Sequence, residues 1–207
     1  MKKILHQVWV QGESELPQAY IKNRELWRKK LPDDWEMKLW DADSAAAEFP
    51  DYADLHDQCS CHAMRADLIL ARALFKHGGL ICGTDAIPVN IPPMIEACEV
   101  EKKAWVVLEN GDDTQWSSGP IAISCGLAFA IPGHPFFQHI SNIQAIRVAQ
   151  RLHVLKATGP GCWTDCYLSG WWDLGAHSFA RAFTHRWDEK GPHRWEAFIN
   201  PGYAGSW

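Results

Sequence analysis

The sequence predicts an α/β fold in a single domain spanning residues 1–207, and three observations predict it. Segments with the two-residue periodicity of strands alternate with segments of helical periodicity. Neither an internal repeat nor a linker-like composition interrupts them. The length of 207 residues suits one ordinary domain that buries a real core without disulfide or metal staples.

Lys3 to Val10 reads as an opening strand, with Ile4, Leu5, Val8 and Val10 around a polar pair. A helix is expected from Pro17, because Leu16, Tyr20, Trp27 and Leu31 recur at helical spacing. Its other side carries Lys22, Arg28 and Lys29, the pattern of a solvated face. Trp35 to Trp40 alternates as a half-buried strand does, and a short helix is expected over roughly residues 43–48. Residues 63–77 are apolar on nearly all sides, which marks a buried helix. Gly78-Gly79 supplies its left-handed stop, and Leu80-Ile81-Cys82 follows as a short buried strand. Asp85 therefore falls just beyond a strand's carboxyl end, where open α/β sheets place their ligands. Further strands are expected at residues 104–108 and 121–131. A helix follows Pro135, with Phe137, Ile140, Gln144, Val148 and Leu152 on one stripe.

Composition narrows the class. Hydrophobic residues at 47% and charged residues at 22% exclude disordered, collagenous and coiled-coil chains. A net charge of −5 weighs against a protein that binds nucleic acid over its whole surface. No stretch approaches the ~20 apolar residues of a membrane span. The opening residues turn polar too soon for a signal peptide, so a cytoplasmic location is expected. The seven cysteines are scattered without paired knuckles and read as reduced thiols. Twelve tryptophans exceed the about two or three of average usage. They suit either a tryptophan-rich core or a pocket that stacks on rings.

Three ordered stretches carry a resemblance. The first is Lys3-Ile4-Leu5-His6-Gln7-Val8-Trp9. The second runs from Ala66-Asp67 through Leu74-Phe75-Lys76-His77-Gly78-Gly79 to Gly83-Thr84-Asp85. The third is Ala157-Thr158-Gly159-Pro160, with Ala204-Gly205-Ser206-Trp207 at the end. Together they resemble glycosyltransferase family 32 and its relatives, the sugar-transferring domains of the large clostridial toxins.

The resemblance implies a GT-A type fold, a twisted mixed sheet flanked by helices, and a retaining hexosyltransferase of the kind used in polysaccharide biosynthesis. Its expected partners are a nucleotide-sugar donor, with a UDP-sugar the commonest expectation, and a glycan or other hydroxyl acceptor. Transfer from a nucleoside diphosphate leaves concentrated negative charge, which a cation or aimed donors must offset. Asp85 is the expected ligand of Mn²⁺ or Mg²⁺, with Gly83 and Thr84 beside it in the donor site. His6, Gln7 and Trp9 are expected to line the base pocket, Trp9 either stacking on the base or packing as a core aromatic. Asp67 is expected to bond sugar hydroxyls; otherwise it pairs with Arg65 or Arg72. Asp67 and Asp85 are the catalytic candidates, and Ser206 and Trp207 would close over the diphosphate. Asp112 and Asp113, in a Gly-flanked stretch, would meet an acceptor hydroxyl or form a solvated acidic turn.

The chain also departs from the family. Gly83 stands where the first aspartate of a D-x-D motif belongs, and Leu70 where an arginine is usual. Cys125 follows Ser124 where relatives often carry asparagine, and residues 200–203 lack the usual histidine. Two other functions therefore stay open: a degenerate domain that binds a sugar nucleotide or glycan without turnover, and a transferase acting on modified DNA. For the latter, Lys22, Arg28, Lys29 and Lys30 are the supporting cations.

Overall fold

The computed structural model describes residues 3–88, 91–100, 103–109, 122–177 and 199–201. Its elements are β1 (Ile4–Val8), α1 (Gln18–Lys30), β2 (Glu36–Trp40), α2 (Ala42–Glu48), α3 (Pro50–His56), α4 (His62–His77), β3 (Gly79–Cys82) and β4 (Ala86–Pro88). They continue with α5 (Pro92–Val100), β5 (Ala104–Glu109), β6 (Ala122–Ala130), α6 (Pro135–Ala149), α7 (Val154–Ala157), α8 (Pro160–Leu168), β7 (Leu174–His177) and β8 (Ile199–Pro201). Six strands form one mixed sheet in the order β2-β1-β3-β6-β5-β7, and β4 pairs with β8 in a separate ribbon.

Strand β1 lies parallel to both β2 and β3, so the chain winds to one side of β1 and then to the other. That reversal leaves a crevice outside the carboxyl ends of β1 and β3, where Trp9 and Gly83 sit. Strand β6 runs antiparallel to β3 and β5. The β5–β6 register slips between Val106 and Leu108, whose partners are Ala128 and Ile123. The slip swells β6 around Cys125 and Gly126, beside that crevice, and bulges of this kind re-aim side chains.

Each sheet face buries its own cluster. One, under α2–α4 and α6–α8, centres on Trp40, Tyr52, Leu68, Phe136, Phe137 and Trp163. The other, under α1 and α5, holds Leu5, Trp27, Leu80, Met94, Trp105 and Phe129. Four of the twelve tryptophans are thus wholly buried core residues: Trp27, Trp40, Trp105 and Trp163. The core stripe of α6 ends earlier than the sequence suggests: the helix stops at Ala149, and Leu152 is exposed. None of the seven cysteines is in a disulfide. Among the described residues no helix is long and apolar enough to cross a membrane.

The joint between α4 and β3 is set by sterics. Gly78 (φ 66°) and Gly79 (φ 90°) both occupy the region that favours glycine. A Cβ on Gly79 would stand 2.5 Å from the Ile4 carbonyl oxygen, and one on Gly78 would stand 2.7 Å from that of Ala130. Only two glycines let the chain leave a buried helix and enter the middle of the sheet at once.

Candidate functional site

Helix α1 meets β1 in three rungs, pairing residues at i, i+4 and i+7 of the helix with alternate residues of the strand. Trp9 packs edge-on against Tyr20, with ring centroids 5.5 Å apart. Leu5 and Trp27 share an apolar cluster. The middle rung is polar: Arg24 donates from Nη1 to Gln7 Oε1 at 2.6 Å. Both side chains are buried, and the charge of Arg24 has no acidic hydrogen-bond partner among the described residues. Burial pulls the Arg24 pKa below its ordinary value, with Glu13 acting against that from a distance.

The same helix holds the loop after β3. Gln7 Nε2 donates to the Gly83 carbonyl at 3.3 Å. Asn23 Nδ2 donates to the carbonyls of Thr84 (3.4 Å) and Asp85 (3.1 Å), and Trp27 Nε1 donates to that of Ala86 (3.0 Å). The apolar spacing of α1 locates Tyr20 and Trp27. Asn23 and Arg24 escape it, because polar residues on an amphipathic helix read as solvated face. Lys22, Arg28, Lys29 and Lys30 are exposed as that spacing predicts.

His6 points to the other side. Trp40 Nε1 donates to its Nδ1 at 3.1 Å, so its Nε2–H donates to the Gly78 carbonyl at 2.8 Å. Burial lowers its pKa to about 4, and the neutral ring has both nitrogens engaged. Trp9 is half-buried, and its indole N–H has no partner among the described residues.

Asp85 is half-buried, and burial raises its pKa. Its carboxylate accepts only from its own backbone N–H; among the described residues no cation pairs with it. It folds back over Gly83, where a Cβ would collide with Oδ1. The backbone of Gly83 lies outside the positive-φ region, so what excludes a side chain there is the end of another, movable side chain. A hard anionic oxygen in a partly dry place without counter-charge fits a divalent cation. Among the described residues no group of three or more His, Cys, Asp or Glu side chains is placed to hold one.

Asp67, on α4, is deeper, at 8% exposure. It accepts from the Thr158 hydroxyl at 2.9 Å and from the Cys125 thiol. Burial outweighs both hydrogen bonds and raises its pKa to about 7. Gln144, in the apolar stripe of α6, fixes this corner: its Nε2 donates to the carbonyls of Asp67 (3.3 Å) and Thr158 (2.9 Å). Neither arginine considered as a partner reaches Asp67. Arg72 binds Asp51 through Nε and Nη2, and Arg65 binds the carbonyls of His56 and Cys59. The two acidic regions are joined through Gly83 N–H, which donates to the carbonyl of Gly126, next to Cys125, at 3.3 Å.

The structure thus groups Gln7, Trp9, Gly83, Thr84 and Asp85 along one crevice and sets Asp67 across β6 from them. His6 lies beneath, on the α4 side. Asp112, Asp113, Ser206 and Trp207 lie outside the described residues. The ribbon brings Pro201 opposite Ala86 and Asn200 opposite Ile87, just after the Gly83-Thr84-Asp85 loop.

No family model matches the sequence, and no curated protein matches it. Among solved structures the chain is similar to the PaToxG glycosyltransferase, at 16% identity and a TM-score of 0.58, over 80% of this chain and 68% of the other. That likeness, with the strand order and the crevice at the β1/β3 reversal, makes the architecture GT-A-like. The resemblance to family 32 rests on the motifs alone.

Proposed function

We propose that the chain is a glycosyltransferase that moves a sugar, with retention, from a nucleotide-sugar donor to a hydroxyl acceptor. One observation carries this reading. In a GT-A-like fold, the aromatic of the first stretch and the acidic loop of the second meet at the end of the sheet suited to a nucleotide, and the buried carboxylate of that second stretch is held by Thr158 of the third.

The base would stack on Trp9, whose half-buried ring, and indole N–H without a partner among the described residues, suit an amphipathic partner. The diphosphate would lie over Gly83-Thr84-Asp85. A divalent ion there, Mn²⁺ or Mg²⁺, would supply charge neutralisation for the departing diphosphate, with Asp85 as its carboxylate ligand. Asp67 would bond sugar hydroxyls from a pocket in which its proton sits near neutrality. Thr158, Cys125 and Gln144 hold that carboxyl in place. Ser206 and Trp207 would close the donor site, and Asp112 or Asp113 would meet the acceptor.

The test is incubation with a panel of nucleotide-sugars, with and without Mn²⁺, reading release of free nucleoside diphosphate. Release from at least one donor, lost in Asp67→Asn, supports the reading; release from none removes it. A second reading draws on the missing carboxylate at Gly83 and the absence of a three-ligand cluster among the described residues. It is a domain that binds the sugar nucleotide without turning it over. Thermal stabilisation by a nucleotide without any release would select it.

A further inference from the structure

Arg24 is 5% exposed, lies between two apolar rungs of the α1–β1 contact, and uses one N–H on Gln7. A guanidinium carries five donors. Burying its charge with no carboxylate in hydrogen-bond reach among the described residues is costly, and Glu13 offsets that only from a distance. Gln7, its one partner, also holds the Gly83 carbonyl. Arg24 is therefore tied through a single side chain to the loop whose first acidic position is a glycine.

We propose that Arg24 is an anion-binding residue that takes the diphosphate of the ligand, offsetting in protein charge what the loop has lost in metal-binding carboxylate. The choice of a diphosphate rests on the transferase reading; the buried guanidinium, with no acidic hydrogen-bond partner among the described residues, does not. A guanidinium matches the paired oxygens of a phosphate through two parallel N–H donors, which an ammonium does not reproduce. Gln7 acts as the positioning residue: accepting from Nη1, it fixes the plane of the fork and leaves the other donors for the ligand.

The experiment titrates inorganic pyrophosphate into the full chain with a chelator present, so that no divalent ion contributes. Parent, Arg24→Gln and Arg24→Lys are compared, together with the paired variant Gln7→Leu/Arg24→Met. The paired variant makes the rung apolar and leaves neither partner orphaned. The parent is expected to bind, and Arg24→Gln to bind about tenfold or more weakly, the weight of one charge-assisted hydrogen bond. Arg24→Lys should fall between them. A parent that does not bind, or a folded Gln7→Leu/Arg24→Met variant that binds as the parent does, overturns the inference. The two readings fail separately. Arg24-dependent pyrophosphate binding without nucleotide release from any donor removes the transferase and leaves this site standing. Nucleotide release by the parent that persists unchanged in the paired variant, together with unchanged pyrophosphate binding, does the reverse.

Discussion

Asp67 and Asp85 are the same residue in opposite situations. Asp67 lies inside a finished pocket, with a hydroxyl and a thiol donating to it and a buried glutamine fixing the backbone around it. Asp85 lies on a loop whose backbone is well held but whose carboxylate, among the described residues, has nothing but its own N–H. Desolvation raises both pKa values. What differs is completeness: among the described residues the first carboxylate is satisfied by the protein and the second is not. The comparison separates a preorganised hydrogen-bonding group from a carboxylate with no counter-charge among the described residues.

The largest expected effect belongs to Asp67. Its pKa of about 7 lies above the ordinary 3.8, so the folded protein holds a proton that the unfolded chain releases. The stability from the neutral form is full below about pH 4 and is lost as pH rises through about 7. Asp67→Asn keeps an acceptor for Thr158 and removes the titration. The variant should therefore gain on the parent across that window by an amount of the order of 1–4 kcal/mol while losing sugar binding. Thermal melts of both proteins from pH 4 to 8 check this. His6 acts oppositely, since its lowered pKa costs stability as pH falls from 6.5 towards 4, but it is common to both proteins and cancels in the difference. A difference flat with pH would put Asp67 in a wetter place than its burial indicates.

Next comes Asp85. Asp85→Ala should abolish any increase in nucleoside diphosphate affinity on adding Mn²⁺ while leaving the melting temperature nearly unchanged, because the carboxylate supports no other group among the described residues. Calorimetric titrations with and without the ion decide it, and equal metal effects in parent and variant would sink the assignment. Trp9→Ala should weaken nucleotide binding by roughly 5- to 150-fold, the range for base–aromatic stacking at about 1–3 kcal/mol. Unchanged affinity in a folded variant would make the ring simply a packing partner of Tyr20. The smallest effect is expected of Gly83→Asp. The new side chain needs only a rotation of the Asp85 carboxylate, not a new backbone conformation. Stability should shift by less than about 1 kcal/mol, with Mn²⁺ binding tightened. Unfolding of the variant would show that the loop has no room for a second carboxylate.

The contrast also shows what a sequence reveals. The apolar run of α4, the paired glycines and the short strand before Gly83-Thr84-Asp85 are local signals. The helix, the stop and the loop position could all be read from them. The same holds for β1, α1, β2 and the start of α6. The surroundings of Asp67 are not local: Thr158 lies 91 residues away, and the thiol comes from a bulged strand that alternation does not describe. Arg24 and Asn23 were hidden for another reason. A helix-face pattern assigns polar residues to solvent, and only the packed structure shows two of them turned inward. Helices α3, α5 and α8 have no strong periodic signature, and the sequence does not mark them.

The ribbon of β4 and β8 links the timing of folding to the site. Among the described residues, 199–201 supply the only partner strand of β4, the three residues that directly follow Asp85. Strands β1, β2 and β3 are complete by residue 82, so that half of the sheet can form early during synthesis. The acidic loop gains its second support only once the chain has been made beyond residue 201, after a closure spanning more than a hundred residues. A nascent or clipped chain lacking β8 would thus carry a folded sheet with a loop held only from the β1 and α1 side, giving the molecule a built-in distinction between having its fold and having its candidate site complete.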